Sequence, residues 1–95
     1  MLSPETLTEA DVRASLTAQS MRRARGYVNR VRDLVRSGRA LSARVPGTHM
    51  YKVDVVVGPD RILGECTCPY DWGGYCKHIG AVLLAWLESP ESFTR

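Results

Sequence analysis

All three cysteines of the chain lie in one short stretch. It runs Cys66-Thr67-Cys68, then a seven-residue loop, then Cys76-Lys77-His78. Thiolate sulfur and imidazole nitrogen are soft or borderline donors, and three of the first with one of the second make a closed tetrahedral set for Zn²⁺. On a strand, Cys66 and Cys68 turn to one face because side chains alternate with a period of two. Pro69, Gly73 and Gly74 supply bends that carry the chain round to Cys76 and His78. Two other readings fit these residues: buried small hydrophobes beside an ordinary helix-start histidine, or a disulfide with one thiol left over. An odd cysteine count speaks against a disulfide framework. The chain has no cysteine before Cys66 and none after Cys76, and this clustering favours one zinc ion held by Cys66, Cys68, Cys76 and His78.

Such a site is structural. Four protein ligands fill the tetrahedron and leave no position for water or substrate, which Lewis-acid hydrolysis needs. Glu65 and Asp71 lie close by, but they read as an outward strand residue and a turn former. No glycine-rich phosphate loop and no nucleophile–base pair occurs, so no catalytic residue is expected and the chain does not read as an enzyme.

The elements that must hold these ligands follow from periodicity. Thr6-x-x-Glu9 has the form of a capping box, and Leu7, Ala10 and Ala14 form a weak stripe, which predicts a short helix over 8–16. A second helix is expected from residue 18 or 20 to about 28, with Met21, Ala24 and Val28 on its apolar face beside Tyr27. From Val31 the period changes to two. Strands are predicted over 31–36, 40–45, 49–57 and 61–68, separated by Ser37-Gly38, Pro46-Gly47 and Gly58-Pro59-Asp60. Tyr51, Val53, Val55 and Val57 share one side of the third, while Ile62, Gly64, Cys66 and Cys68 share one row of the fourth. His49 reads as a surface residue. A last helix starts near Lys77, with Ile79, Val82, Leu83, Trp86 and Leu87 as its stripe, and ends at Ser89-Pro90. Gly80, Ala81 and Ala85 would let it lie close to the sheet, and Trp86 reads as core. The expected fold is α+β: one or two N-terminal helices, a four-stranded antiparallel meander, and a C-terminal helix joined to the last strand by zinc. Residues 1–18 read as a lead-in, 19–88 as the zinc-binding domain, and 89–95 as a tail without pattern.

These residues together resemble the SWIM zinc finger, known from bacterial and archaeal helicase-like ATPases, Mutator-type transposases and some eukaryotic signalling and recombination proteins. The likeness rests on Cys-x-Cys, a short loop, Cys-x-His and a hydrophobic helix. It extends upstream through Ser20-Met21-Arg22-Arg23-Ala24-Arg25-Gly26-Tyr27-Val28 and Arg30-Val31, so it covers about residues 19–88. Met21 and Val28 stand where prokaryotic members often carry aromatics, a change conservative for packing. Carried over residue by residue, the resemblance implies Cys66, Cys68, Cys76 and His78 as ligands, and it implies contacts with DNA or with proteins.

Charge narrows where such contacts would fall. The formal charge is +3, and three thiolates with one Zn²⁺ lower it by one, too little to indicate nucleic acid by itself. Its distribution is uneven: from Arg22 to Arg39 there are seven arginines and a single acid, Asp33. A solvated helix face followed by exposed strand positions explains this blandly. A phosphate-contacting patch explains it more sharply, because guanidinium forks suit phosphate oxygens and release counterions. That reading uses Arg22, Arg23, Arg25, Arg30, Arg32 and Arg36, with Lys77 at the start of the last helix. Tyr70, Trp72 and Tyr75 could stack on unpaired bases or cap the apolar side of the zinc site. The alternative is an adaptor in which the same surface meets an acidic protein. The longest uncharged apolar run, Ile79 to Leu87, is far shorter than a membrane span. The N-terminus lacks the basic region of a signal peptide, and reduced cysteines suit a cytoplasmic protein.

Overall fold

A computed structural model describes residues 2–47, 49–68 and 76–94. In chain order its elements are α1 (Glu9–Ser15), α2 (Ala18–Arg25), a 3-10 turn (Val28–Arg30), β1 (Arg32–Ser37), β2 (Ala40–Pro46), β3 (Met50–Val57), β4 (Ile62–Cys66), α3 (Lys77–Glu88) and a second 3-10 turn (Pro90–Ser92). The strands form one antiparallel sheet in the order β1-β2-β3-β4. This is the meander expected from the spacing of the turn signals. Gly38 takes φ +60° at the hairpin between β1 and β2, a conformation glycine adopts without a Cβ penalty.

Alternation along the central strands decides which face is covered. Leu41, Ala43 and Val45 on β2 and Val53, Val55 and Val57 on β3 are buried under α3, which contributes Ile79, Val82, Leu83 and Trp86. Removing this apolar surface from water is the main stabilising force, about 1.5–3 kcal/mol for each large side chain fully buried. On the outer face Ser42, Arg44, Lys52, Asp54, Val56, Leu63 and Glu65 stay wholly or partly exposed, and no described element lies over them.

The N-terminal segment belongs to the core. Thr8, not Thr6, caps α1: its side chain accepts from the Asp11 N–H while the Asp11 carboxylate accepts from the Thr8 N–H, a reciprocal capping box. Thr6 is engaged instead in a turn with Ser3. Leu7 and Val12 are buried, and the Trp86 Nε1–H donates to the Pro4 carbonyl at 2.6 Å. The second helix ends at Arg25, and Val28 falls in the separate 3-10 turn. Gly80 does not face the sheet as its small size suggested. A Cβ there would lie 2.8 Å from Leu16 Cδ1 and 2.9 Å from Ala24 Cβ, so glycine at this position lets α2 approach α3.

The C-terminal tail also docks. Phe93 is buried edge-on against Trp86, with ring centroids 5.3 Å apart. Thr94 pairs with the free edge of β1, accepting from the Arg36 N–H and donating to the Leu34 carbonyl. One edge of the sheet is thereby covered by the chain itself.

A β-bulge interrupts β1. Arg32 lies opposite Arg44, but Val35 rather than Leu34 lies opposite Ser42, so one extra residue is inserted between them. Asp33 there takes φ +53°, the left-handed region that few non-glycine residues adopt. The insertion reverses the alternation downstream. Arg32 stays on the outer face, whereas Arg36 comes opposite Leu41 and turns inward.

Candidate metal centre

Two elements bring the four donors together. Cys66 is the last residue of β4, on the covered face in register with Val53, and Cys68 follows two residues later. Cys76 occupies the N-cap position of α3, and His78 lies in that helix's first turn. The Cys66 Sγ stands 3.7 Å from His78 Nδ1 and the Cys76 Sγ 3.9 Å from the same nitrogen. All four ligand atoms lie within 4.8 Å of one another. Zinc–sulfur and zinc–nitrogen bonds of usual length give tetrahedral edges of about 3.5–3.8 Å. The donors are therefore gathered at close to coordinating distance before any ion is considered.

Burial sharpens the fit. Cys76 and His78 are each 4% exposed, while Cys66 and Cys68 are half-buried. The imidazole is wedged between two tyrosines, with Tyr51 tilted over it at 4.8 Å and Tyr27 edge-on at 5.4 Å. Nδ1 faces the sulfurs, and the buried Nε2 has no hydrogen-bond partner among the described residues. A Cβ on Gly47 would fall 2.8 Å from the Tyr51 ring and 3.6 Å from that nitrogen, so the hairpin after β2 passes directly over the imidazole. A ring held this way offers one nitrogen, Nδ1, to a cation.

The thiols interact strongly. A hydrogen bond from Cys66 lowers the pKa of Cys76 to about 4, helped by His78 and by the backbone N–H of Ile79 in the first turn of α3. The same hydrogen bond, with burial, pushes the Cys66 thiol well above its ordinary range. The cluster thus makes one thiolate readily and resists making the next. A divalent cation removes that conflict, since it favours every thiolate at once. The group fits Zn²⁺ held by the sulfurs of Cys66, Cys68 and Cys76 and by His78 Nδ1. Bound there, the ion supplies a cross-link between the end of the sheet and the head of α3.

The basic residues fall into different environments. Arg25 donates to Glu9 at 2.7 Å and so ties α2 to α1. Arg36 pairs with Glu5, donates from Nε to the Gly38 carbonyl at 2.9 Å, and lies over the Trp86 ring at 5.2 Å, its side chain 17% exposed. Arg30 and Lys77, from different elements, both stand over Tyr27, at 5.3 and 5.1 Å from the ring centroid. Arg22, Arg23 and Arg32 are exposed, and no described carboxylate pairs with them. Arg44 and Lys52, which sequence reasoning passed over, join Arg32 in one row across the outer face. Cross-strand register was the missing signal. His49 is exposed and edge-on to Tyr51, Glu65 points outward, and Tyr70, Trp72, Tyr75 and Asp71 lie outside the described residues.

A four-stranded antiparallel sheet, fastened at the end of its last strand to a following helix by three thiols and an imidazole, defines a structural Cys3His zinc-binding module. Within that class, residues 51–87, which run from β3 through β4 and the ligand cluster into α3, match the SWIM zinc finger. No curated protein and no solved structure matches the chain.

Proposed function

We propose that this chain is a non-catalytic, zinc-stabilised module that binds nucleic acid, DNA in the first instance, through phosphate contacts. The observation that carries the reading is the convergence of Arg30 and Lys77 on Tyr27, directly beside ligand His78. Two cations from separate elements meet there with no described carboxylate between them. Arg22, Arg23 and Arg32 add unpaired charge nearby in sequence, whereas Arg25 and Arg36 are engaged with Glu9 and Glu5. Phosphate oxygens are natural partners for such unpaired guanidinium groups. Three thiols available to zinc suit the reducing cytoplasm, and no helix among the described residues is long and apolar enough to cross a membrane.

Anisotropy of a labelled 20-nucleotide single strand and a 20-base-pair duplex, titrated at 50 and 200 mM salt, tests the proposal. Four or five phosphate contacts should cost roughly a hundredfold in affinity over that range. Absence of binding at 50 mM, or affinity indifferent to salt, refutes it. A second reading, contact with a protein, draws support from Val35, Met50, Val56 and Leu63, which stay exposed. Binding that survives high salt would favour that reading.

A further inference from the structure

The outer face of the sheet sorts its charge by row. Arg32, Arg44 and Lys52 are successive cross-strand partners on β1, β2 and β3, so three cations lie side by side. The next outward row holds Ser42, Asp54 and Glu65, again as successive partners. Like charges directly opposite each other on a sheet are destabilising. Stability alone would have interleaved the signs, yet Lys52 opposes Arg44 and Glu65 opposes Asp54. Among the described residues a single ion pair relieves the basic row: Asp33 reaches Arg44 at 3.9 Å, both side chains more than half exposed. Asp33 gets there through the bulge and its left-handed backbone. Aspartate is one of the few residues that tolerates this conformation.

The row lies at the metal end of the sheet. Lys52 exchanges backbone and side-chain hydrogen bonds with Thr67, between ligands Cys66 and Cys68. Its neighbour Tyr51 lies against His78 from the covered side. With strands about 4.8 Å apart, the two gaps of the row span about 10 Å, the axial length of about three nucleotide steps at about 3.4 Å each.

We infer that Arg32, Arg44 and Lys52 form a docking site for the phosphate backbone of a nucleic-acid strand lying across the outer face, and that Asp33 is a resident competitor for Arg44. This deepens the nucleic-acid reading and rests on it. The occupant follows from charge complementarity: three cations gathered in one row, with the acids Asp54 and Glu65 confined to the next, fit a polyanion that lies along the basic row. The competitor is weak, because an exposed pair at this distance is strongly screened. Incoming phosphate can therefore displace it.

Three variants of the full chain, zinc-loaded and confirmed folded by their thermal melts, separate this site from the α2 face. They are Arg44→Gln/Lys52→Gln, Asp33→Asn and Arg22→Gln/Arg23→Gln, each titrated with the same labelled 20-nucleotide strand and duplex. Losing two row contacts should weaken binding about tenfold or more at 50 mM salt and flatten the log–log salt slope by about 1.5–2. Asp33→Asn keeps a side chain that tolerates the backbone and removes the competitor. It should tighten binding about two- to fourfold and steepen the slope. Wild-type slopes and affinities in both row variants, with loss only in Arg22→Gln/Arg23→Gln, would overturn the inference and leave the nucleic-acid reading standing. If the wild-type protein binds neither probe, or binds polyglutamate in preference to both, the reading and the inference fall together.

Discussion

Arg36 offers the sharpest separation between an arginine that holds the fold and one that meets a partner. Replacing it with alanine removes its pairing with Glu5, its Nε hydrogen bond to the Gly38 carbonyl and its cover over Trp86. The charge-assisted hydrogen bond contributes about 1–2 kcal/mol and the cation–π contact about 0.5–1, whereas the ion pair, with Glu5 largely exposed, adds about 0.5 or less. Lost contact along the aliphatic stem brings the expected destabilisation to about 2–3 kcal/mol. For a domain of this size that is a fall of roughly 10–20 °C in melting temperature. Arg32→Ala, at an exposed position facing Arg44, should change stability by no more than about 0.5 kcal/mol. The assay pairs urea unfolding with oligonucleotide titration well below each variant's melting temperature. Arg36→Ala should lose stability and keep affinity; Arg32→Ala should do the reverse. Should Arg36→Ala prove as stable as the wild-type protein, or bind as poorly as Arg32→Ala while fully folded, the assignment of Arg36 to the core is wrong.

Metal analysis should find one zinc per chain, and Cys66→Ser should be metal-poor and largely unfolded. A structural zinc contributes about 10–16 kcal/mol in finger peptides, against a typical net stability of about 5–15; a metal-poor variant with the wild-type melting temperature would contradict this. Zinc retention should fall with acidification, because protons compete for the sulfurs. In the metal-free cluster Cys66, its thiol pKa raised by the hydrogen bond to Cys76 and by burial, takes up a proton before Cys76, whose pKa is lowered to about 4. A chelating dye at stepped pH reads the release, and complete retention at pH 4 would overturn it. Gly80→Ala should destabilise: Leu16 can swing its tip aside, but Ala24 Cβ moves only with α2. The overpacking cost of about 1–3 kcal/mol then outweighs the roughly 1 kcal/mol that alanine gains in a helix. An unchanged or higher urea midpoint would show that α2 yields freely.

Periodicity made the sheet and α3 legible because each buries one face, and a period of two or 3.6 records that burial directly. The ligands were legible because donor chemistry and spacing restrict the choice of ion. What stayed hidden depended on choices between equal local patterns. Thr6-x-x-Glu9 and Thr8-x-x-Asp11 both have capping form, and the Ser3–Thr6 turn, invisible to either, decides for the second. The bulge hid more. Asp33 carries no glycine-like signal, yet its one-residue insertion exchanges the two faces of β1 and sends Arg36 under the sheet. A single buried aromatic has no period, so Phe93 left its tail looking patternless although it packs on Trp86. Nor could sequence place Arg44 and Lys52 beside Arg32, since that requires register across three strands.

Tyr27 links the metal site to the cations above it, since its ring touches both His78 and the pair Arg30 and Lys77. The His78 ring is held between Tyr51 of β3 and Tyr27, which precedes the 3-10 turn. Tyr51 is flanked along its strand by Lys52 on the opposite face, and Tyr27 carries Arg30 and Lys77 over its ring. An imidazole held on a cation would restrict the two rings packed against it, and Tyr27 in turn lies under Arg30 and Lys77. A zinc ion that only stapled the core could sit anywhere between two elements. The Cys66, Cys68, Cys76 and His78 cluster lies where the covered face, the strand end beside Lys52 and the head of α3 meet. An ion bound there would brace the element ends that carry Lys52 and Lys77, while strand register sets the spacing of the outer row.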